Sequence, residues 1–346
     1  MRADESVEDC VERRLRDFRL HDRVVDVVSS FEMVFTESQS QVPGTVARFE
    51  RFPSIPVADR ELSPDFSVLF QDGTGLVGEI ARFALRDESV DDLCDQILKY
   101  DALTGLPSQD GITDVEFVDV LLFVPLDLGP ASAIRILEER LLRADHPYKP
   151  GRHPCIIQYG FDEGRYLFQR IQHASNGLPE DANRPDGIGR WFRENGDIRA
   201  RPDRFAHIKA ARAFVNDGID DLYLTVHLWA KTFATMAGEQ SNERPIAMTI
   251  DPEEIARNLR EAHGRVRVDD VRRALSLLER AKLAEPNGAG GWTVGWEELR
   301  GEDLAATLAK RICYPPRTGG PLNRVRRRVA SAKPADTGQE ERPRLF

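Results

Sequence analysis

The chain of 346 residues carries 58 acidic against 48 basic side chains, a formal net charge of -10, with 41% hydrophobic and 31% charged residues. That composition supplies apolar residues enough for two or three cores, and no apolar run approaches the length that crosses a bilayer, so no membrane partner is expected. Net negative charge excludes a protein that coats nucleic acid over its whole surface, but leaves room for a local basic patch. The opening residues Met1-Arg2-Ala3-Asp4-Glu5 are charged with no apolar region after them, so no secretion signal is expected. Cys10, Cys94, Cys155 and Cys313 are scattered without CxxC spacing. That argues against a zinc site or a disulfide framework and fits a reducing, cytoplasmic location.

Leu20, Val24, Val27, Val28, Phe31, Val34 and Phe35 recur at helical spacing within 7–35, which predicts one long helix or two shorter ones packed on a sheet. Strands are predicted at 45–49, 65–70 and 76–83, with Pro43-Gly44 and Asp72-Gly73 as turns. A helix at 90–103 follows. The nearly unbroken apolar run 115–124 then reads as a strand from the buried middle of a sheet, ending at Pro125. A helix at 131–143 and strands at 155–161 and 165–171 complete this part. The order helix, three strands, helix, strand, helix, strands predicts an α/β fold with a mixed sheet.

Residues 173–204 concentrate Gly, Pro, Asn, Asp and Arg and read as a surface excursion or linker, anchored by Trp191-Phe192. Helices are then predicted at 222–236, from Asp251-Pro252 onward, and at 268–283, followed by strand, Gly-rich tip and strand between Leu283 and Val294. This succession resembles a winged helix-turn-helix, a mainly helical domain that puts its third helix in the major groove of double-stranded DNA. On that helix Val268, Val271, Leu275 and Leu278 form the core stripe, leaving Arg267, Arg272 and Arg273, with Arg280 towards the far end, as the expected DNA contacts. Asp269 and Asp270 count against close base reading there, and a protein-protein or dimerisation role is the competing reading. The chain is thus divided into an α/β domain at 1–172, a linker and connecting helix at 173–220, the winged helix at 221–300, and a basic, partly disordered tail at 301–346.

Pro64-Asp65 opens one strand and Glu79 sits late in the next, so pairing through Gln71-Asp72-Gly73-Thr74 brings two carboxylates to one end of the sheet. Such hard oxygen ligands suit Mg2+ better than zinc. Gln96 and Tyr100, four residues apart on the following helix, share a face. None of His21, His146, His153, His173 and His207 has ligand spacing.

Pro64-Asp65, Glu79 and the Gln96-xxx-Tyr100 pair, in that order, resemble the PD-(D/E)xK nuclease superfamily. The resemblance implies a restriction-endonuclease-like mixed sheet flanked by helices, Asp65 and Glu79 as ligands of Mg2+ or Mn2+, and Gln96 and Tyr100 positioning the DNA strand. It also implies an acid from the first helix, Glu32 or Glu37, at the metal. The motif lysine is replaced by Ala81. Arg82 points to the opposite face because side chains alternate along a strand, so Lys99 is the expected substitute. The function implied is metal-dependent phosphodiester hydrolysis in bacterial restriction or phage defence. The alternative is a catalytically inactive nuclease-fold subunit that binds DNA or serves as a scaffold. Double-stranded DNA, proteins of a defence complex and a second copy of the chain are the expected partners.

Overall fold

A computed structural model of the chain describes residues 5–37, 45–58, 60–81, 87–126, 154–170, 192, 196–200, 218–240, 245–263, 265–288, 290–299, 303–316 and 320–325. The chain divides into two units, one of Met1–Phe18, Asp220–Asn258 and Arg267–Phe346, the other of Arg19–Ile219 and Leu259–Val266. The predicted helix at 131–143, Arg82, Trp191 and the Glu37 side chain lie outside the described residues.

Helix α1 (Val7–Glu37) is a single element. Ser6 starts it: its hydroxyl donates to the Asp9 carboxylate at 2.7 Å and accepts the Asp9 N–H at 3.1 Å, satisfying a donor that the first turn leaves open. Of the predicted apolar stripe, Val24, Val27, Val28, Phe31, Val34 and Phe35 are buried and Leu20 is exposed.

The larger unit then builds β1 (Val46–Arg51), β2 (Ile55–Val57), β3 (Arg60–Leu62), β4 (Phe66–Phe70), β5 (Thr74–Ile80), α2 (Asp87–Lys99), β6 (Gly105–Ser108), β7 (Gly111–Asp114), β8 (Phe117–Pro125), β9 (Cys155–Asp162), β10 (Arg165–Arg170) and β11 (Ile198–Ala200). Seven of these strands form one mixed sheet in the order β1-β4-β5-β8-β9-β10-β11. The pairs β5 with β8 and β8 with β9 are parallel, and the flanking pairs are antiparallel. The expected α/β class with a mixed sheet is therefore present. Strand β11 falls inside the stretch read as a linker. Three residues paired to an edge leave too short a period to stand out among Gly and Pro.

Alternation divides the sheet into two apolar faces. On one, Phe31 of α1 lies with ring centroids 4.9–5.3 Å from Phe66, Phe123 and Phe168. On the other, Leu69, Val77, Val120, Leu122 and Val124 pack with Cys94, Ile97 and Tyr100, the last in a 3-10 turn (Tyr100–Ala102) that closes α2. Burial on both faces explains why every residue of β4 and β5 is buried. Gly78, the cross-strand partner of Phe66, makes room for that ring: a Cβ there would stand 2.0 Å from a ring carbon.

The other unit contains α3 (Asp221–His227), a π-helical turn (Leu228–Thr232), α4 (Phe233–Gln240), β12 (Ile246–Ile250), α5 (Pro252–His263, to Asn258), α6 (Val268–Arg280), β13 (Ala284–Pro286), β14 (Trp292–Trp296) and α7 (Leu304–Cys313). The helix predicted at 222–236 is thus interrupted, and the break is a local i→i+5 bond in which the Phe233 N–H donates to Leu228 O. The predicted β13–β14 hairpin forms and gains a third strand, β12, giving an antiparallel sheet in the order β12-β14-β13. Helix α7 lies within the stretch read as a tail, with Leu308, Ala309 and Ile312 buried.

Cys10 and Cys313 form a disulfide, with Cα atoms 6.0 Å apart. This corrects the expectation of unpaired cysteines, and with it the redox argument for a reducing compartment. The two lie 303 residues apart in sequence, so their spacing carries no signal and only folding of α1 onto α7 brings them together. Among the described residues, no helix is long and apolar enough to cross a membrane.

Candidate functional site

Asp65 immediately precedes β4. The register that pairs Phe66 with Gly78 sets it across from Glu79. Its backbone is held on both sides, the Asp65 N–H donating to Gly78 O at 2.9 Å and Asp65 O accepting the Phe52 N–H at 2.8 Å. Phe52 itself takes φ 48°, uncommon for a bulky residue. The Asp65 carboxylate accepts the Ile80 N–H through Oδ2 at 2.8 Å. Asp65 is 2% and Glu79 4% exposed, and ionised carboxylates so far from water need donors.

Tyr100 supplies one, donating its hydroxyl to Glu79 Oε2 at 2.6 Å, while Gln96 Nε2 donates to the Tyr100 hydroxyl at 3.2 Å. Burial first, then the charge of Glu79 and the hydrogen bond to it, hold the Tyr100 pKa well above that of a free phenol; Asp65 adds in the same direction and the Gln96 hydrogen bond opposes. The phenol therefore stays protonated and remains a donor. The sequence-predicted four, Asp65, Glu79, Gln96 and Tyr100, are brought together, and the order of contact is Gln96 to Tyr100 to Glu79. Tyr100 thus acts on a carboxylate, where the resemblance had implied a contact to the DNA strand.

Two expected members stand elsewhere. Ala81, at the motif lysine's position, is buried, with its N–H donating to Phe123 O at 2.8 Å. Lys99 is exposed and forms no ion pair with Asp65 or Glu79. The reason is helical phase: Gln96 and Tyr100 are one turn apart and point inward, and Lys99 is turned about 100° from its neighbour. Glu32 is ion-paired with Arg51 of β1. Its neighbour Phe31 packs on Phe66, which faces opposite to Asp65 by strand alternation, so Glu32 belongs to the other face of the sheet.

Among the described residues, no group of three or more His, Cys, Asp and Glu is arranged to hold a metal. Two carboxylates at one end of the sheet are hard oxygen ligands of the kind Mg2+ and Mn2+ take, and Mg2+ dehydrates reluctantly and keeps several waters. They do not fit a structural zinc site, which needs four protein ligands of nitrogen or sulfur type.

The four candidate DNA-contacting arginines separate into two pairs. Arg272 bridges to Asp269 at 3.2 Å and Glu253 at 3.9 Å, and Arg273 to Asp221 at 2.9 Å and Asp270 at 2.6 Å. Hydrogen bonding to Asp221 and Asp270, opposed by partial burial, raises the Arg273 pKa. Asp270 also accepts the Arg267 N–H at 2.8 Å, so it is a helix-start residue as much as an ion-pair partner. Arg267 is exposed and Arg280 half-buried, and among the described residues neither is ion-paired. Sequence reading missed Asp220. Asp220 caps α3, accepting the Tyr223 N–H at 2.7 Å, a role its place before the helix could have signalled.

No family model, no curated protein and no solved structure matches the chain.

Proposed function

We propose that the chain is a DNA-binding protein whose mixed-sheet unit resembles the PD-(D/E)xK nucleases and hydrolyses phosphodiesters with Mg2+ or Mn2+ held by Asp65 and Glu79. One observation carries the reading: Asp65, Glu79, Tyr100 and Gln96 converge at the carboxyl end of the parallel strand β5, Tyr100 bonded to both Glu79 and Gln96. Outside the carboxyl ends of parallel strands is where open α/β sheets bind ligands. A bound metal lowers the pKa of the attacking water and draws charge from the phosphate. The chain's own residues do the rest. The Ile80 N–H fixes one oxygen of Asp65, Tyr100 fixes one oxygen of Glu79, and Gln96 orients the phenol. Water adds to phosphorus, a P–O bond breaks, and an alcohol and a phosphate monoester leave. In the other unit the helices α5 and α6 and the β13–β14 hairpin, read as a winged helix, hold the duplex.

A second reading is favoured by the exposed Lys99 and buried Ala81, since neither position expected to carry a cation beside the metal does so. On it the chain binds DNA or serves as a scaffold without cutting, as one subunit of a larger assembly. Calorimetric titration with Mn2+ and a plasmid cleavage assay separate the two, using Asp65→Asn and Glu79→Gln to preserve shape. Metal binding and cleavage that both disappear in either variant support the hydrolase. DNA binding without cleavage, with or without Mn2+, leaves the second reading, and wild-type protein that takes up no Mn2+ sinks the hydrolase.

A further inference from the structure

Helix α1 is buried unevenly along its length. From His21 to Phe35 most residues are buried, among them Val24, Val28, Phe31 and Phe35. Among the described residues from Glu5 to Leu20, Cys10 alone is buried, while Glu8, Asp9, Glu12, Arg16 and Arg19 are exposed. Arg13 pairs with Glu5 at 2.9 Å and Arg16 with Asp17 at 3.7 Å, so these bonds stay within the segment. Other helices of the same unit are reached by the Phe18 ring, 5.5 Å from that of Tyr223 in α3, and by Cys10, bonded to Cys313 of α7.

The far side of the bond is embedded differently. Helix α7 buries Ala305, Leu308, Ala309 and Ile312 as well as Cys313, and Asp303 caps its start by accepting the Ala306 N–H at 3.0 Å. It is held by apolar burial, which a change of redox state leaves intact. The first turns of α1 offer Cys10 in place of such a face. A helical segment of that length is marginal in water by itself, so the covalent bond carries the attachment. A staple for the whole fold is the plain alternative, since a bond across 303 residues constrains the unfolded chain. A staple serves every element alike, whereas the uneven burial places the effect of breaking the bond on the first turns of α1.

We infer that Cys10 and Cys313 form a redox-operated latch, which fastens the first turns of α1 to α7 when oxidised and releases them when reduced. The reductant is a small thiol or dithiol. Its thiolate attacks one sulfur as the end of α1 frays, forming a mixed disulfide and freeing the other cysteine as a thiolate, which takes up a proton. A second thiolate of the reductant resolves the mixed disulfide and frees the remaining cysteine, which is protonated in turn. The pair has then gained two electrons and two protons, and the reductant is left as its own disulfide. The latch uses no residue of the Asp65 and Glu79 site, so it stands or falls apart from the metal reading.

Limited trypsin digestion of the full chain tests this, with cleavage sites mapped by mass spectrometry before dithiothreitol, after it, and after reoxidation with glutathione disulfide. Alkylation under native conditions follows the pair itself, since Cys94 and Cys155 are free and opening the bond adds Cys10 and Cys313 to the thiols. Cleavage after Arg13, Arg14, Arg16 and Arg19 is expected to become roughly tenfold faster in the reduced protein, because local opening exposes those bonds. Cleavage after Arg257, Arg272 and Arg280 of the same unit stays at its oxidised rate, and reoxidation restores protection of α1. Cys10→Ser and Cys313→Ser reproduce the reduced pattern and no longer respond to dithiothreitol. The wild-type cycle carries the test even where a variant does not fold. Three results overturn the proposal: a bond that stays closed in dithiothreitol, an opened bond that leaves the four arginines of α1 protected, or cleavage that rises along the whole chain, as loss of a general staple would give.

Discussion

The carboxylates of the mixed sheet and the arginines of α6 solve the problem of charge in opposite ways. Asp65 and Glu79 are buried, and each gives one oxygen to a neutral donor, the Ile80 N–H or the Tyr100 hydroxyl. Arg272 and Arg273 are exposed and are cancelled by carboxylates, two of which, Asp269 and Asp270, sit three residues away on the same helix. A neutral donor orients a carboxylate oxygen without itself bringing charge. A carboxylate bound to an arginine removes the charge that a phosphate would have used. At this face of α6 the placement of charge thus speaks for architecture.

The strongest challenge to that contrast comes from Asp220, a largely buried carboxylate in the unit that carries α6. Burial raises its pKa from 3.8 to about 6, with Asp17 and Asp221 adding to the rise and the Tyr223 N–H and Arg14 opposing it. The folded state therefore binds the proton more tightly than the unfolded chain. Its stabilising effect is complete below pH 4 and is lost as pH rises through about 6. At roughly 1.4 kcal/mol per tenfold in proton affinity, the loss is on the order of 3 kcal/mol. Asp220→Asn keeps a good helix cap and removes the titration. Urea denaturation from pH 4 to 7 should show wild type losing ground to Asp220→Asn over that window. A constant difference between the two across the window would mean that Asp220 is as well solvated as the surface acids.

Tyr100→Phe tests the sheet side of the comparison. It leaves the packing and removes the donor to Glu79 Oε2. A buried acceptor left short of a partner costs about 1–3 kcal/mol, read as a lower urea midpoint at neutral pH. Because a cation can take over the orphaned oxygen, Mn2+ should restore more stability to this variant than to wild type. Equal Mn2+ effects in the two would separate Glu79 from any metal.

Most of the sheet site was legible because its parts are close in sequence. A four-residue turn fixes Asp65 against Glu79, and Gln96 and Tyr100 are one helical turn apart. Helical phase also separates Lys99, which is exposed, from Tyr100, which is buried. Strand β12 had a signal that went unused, the alternation of buried and exposed residues along Ile246–Ile250. No local pattern announces Cys10 with Cys313, because the pair depends on which helices pack together. Spacing places Arg273 on the outward face of α6 but gives no sign of Asp221, its partner, which belongs to another helix 52 residues away.

Arg272→Ala with Arg273→Ala carries the smallest expected effect and bears most directly on α6. Exposed ion pairs contribute about 0.2–1 kcal/mol each, so the double variant should lower the urea midpoint only slightly. If these arginines are architectural, the dependence of DNA affinity on salt stays as steep as in wild type. If they leave their carboxylates to meet phosphates, two counterion-releasing contacts disappear and the slope of log affinity against log salt falls by about 2. The first outcome is expected, because an arginine moving to DNA leaves Asp221 and Asp270 facing a polyanion. That repulsion opposes the contact that the move creates, so the α6 face is self-cancelling as a DNA surface unless its acids are neutralised too.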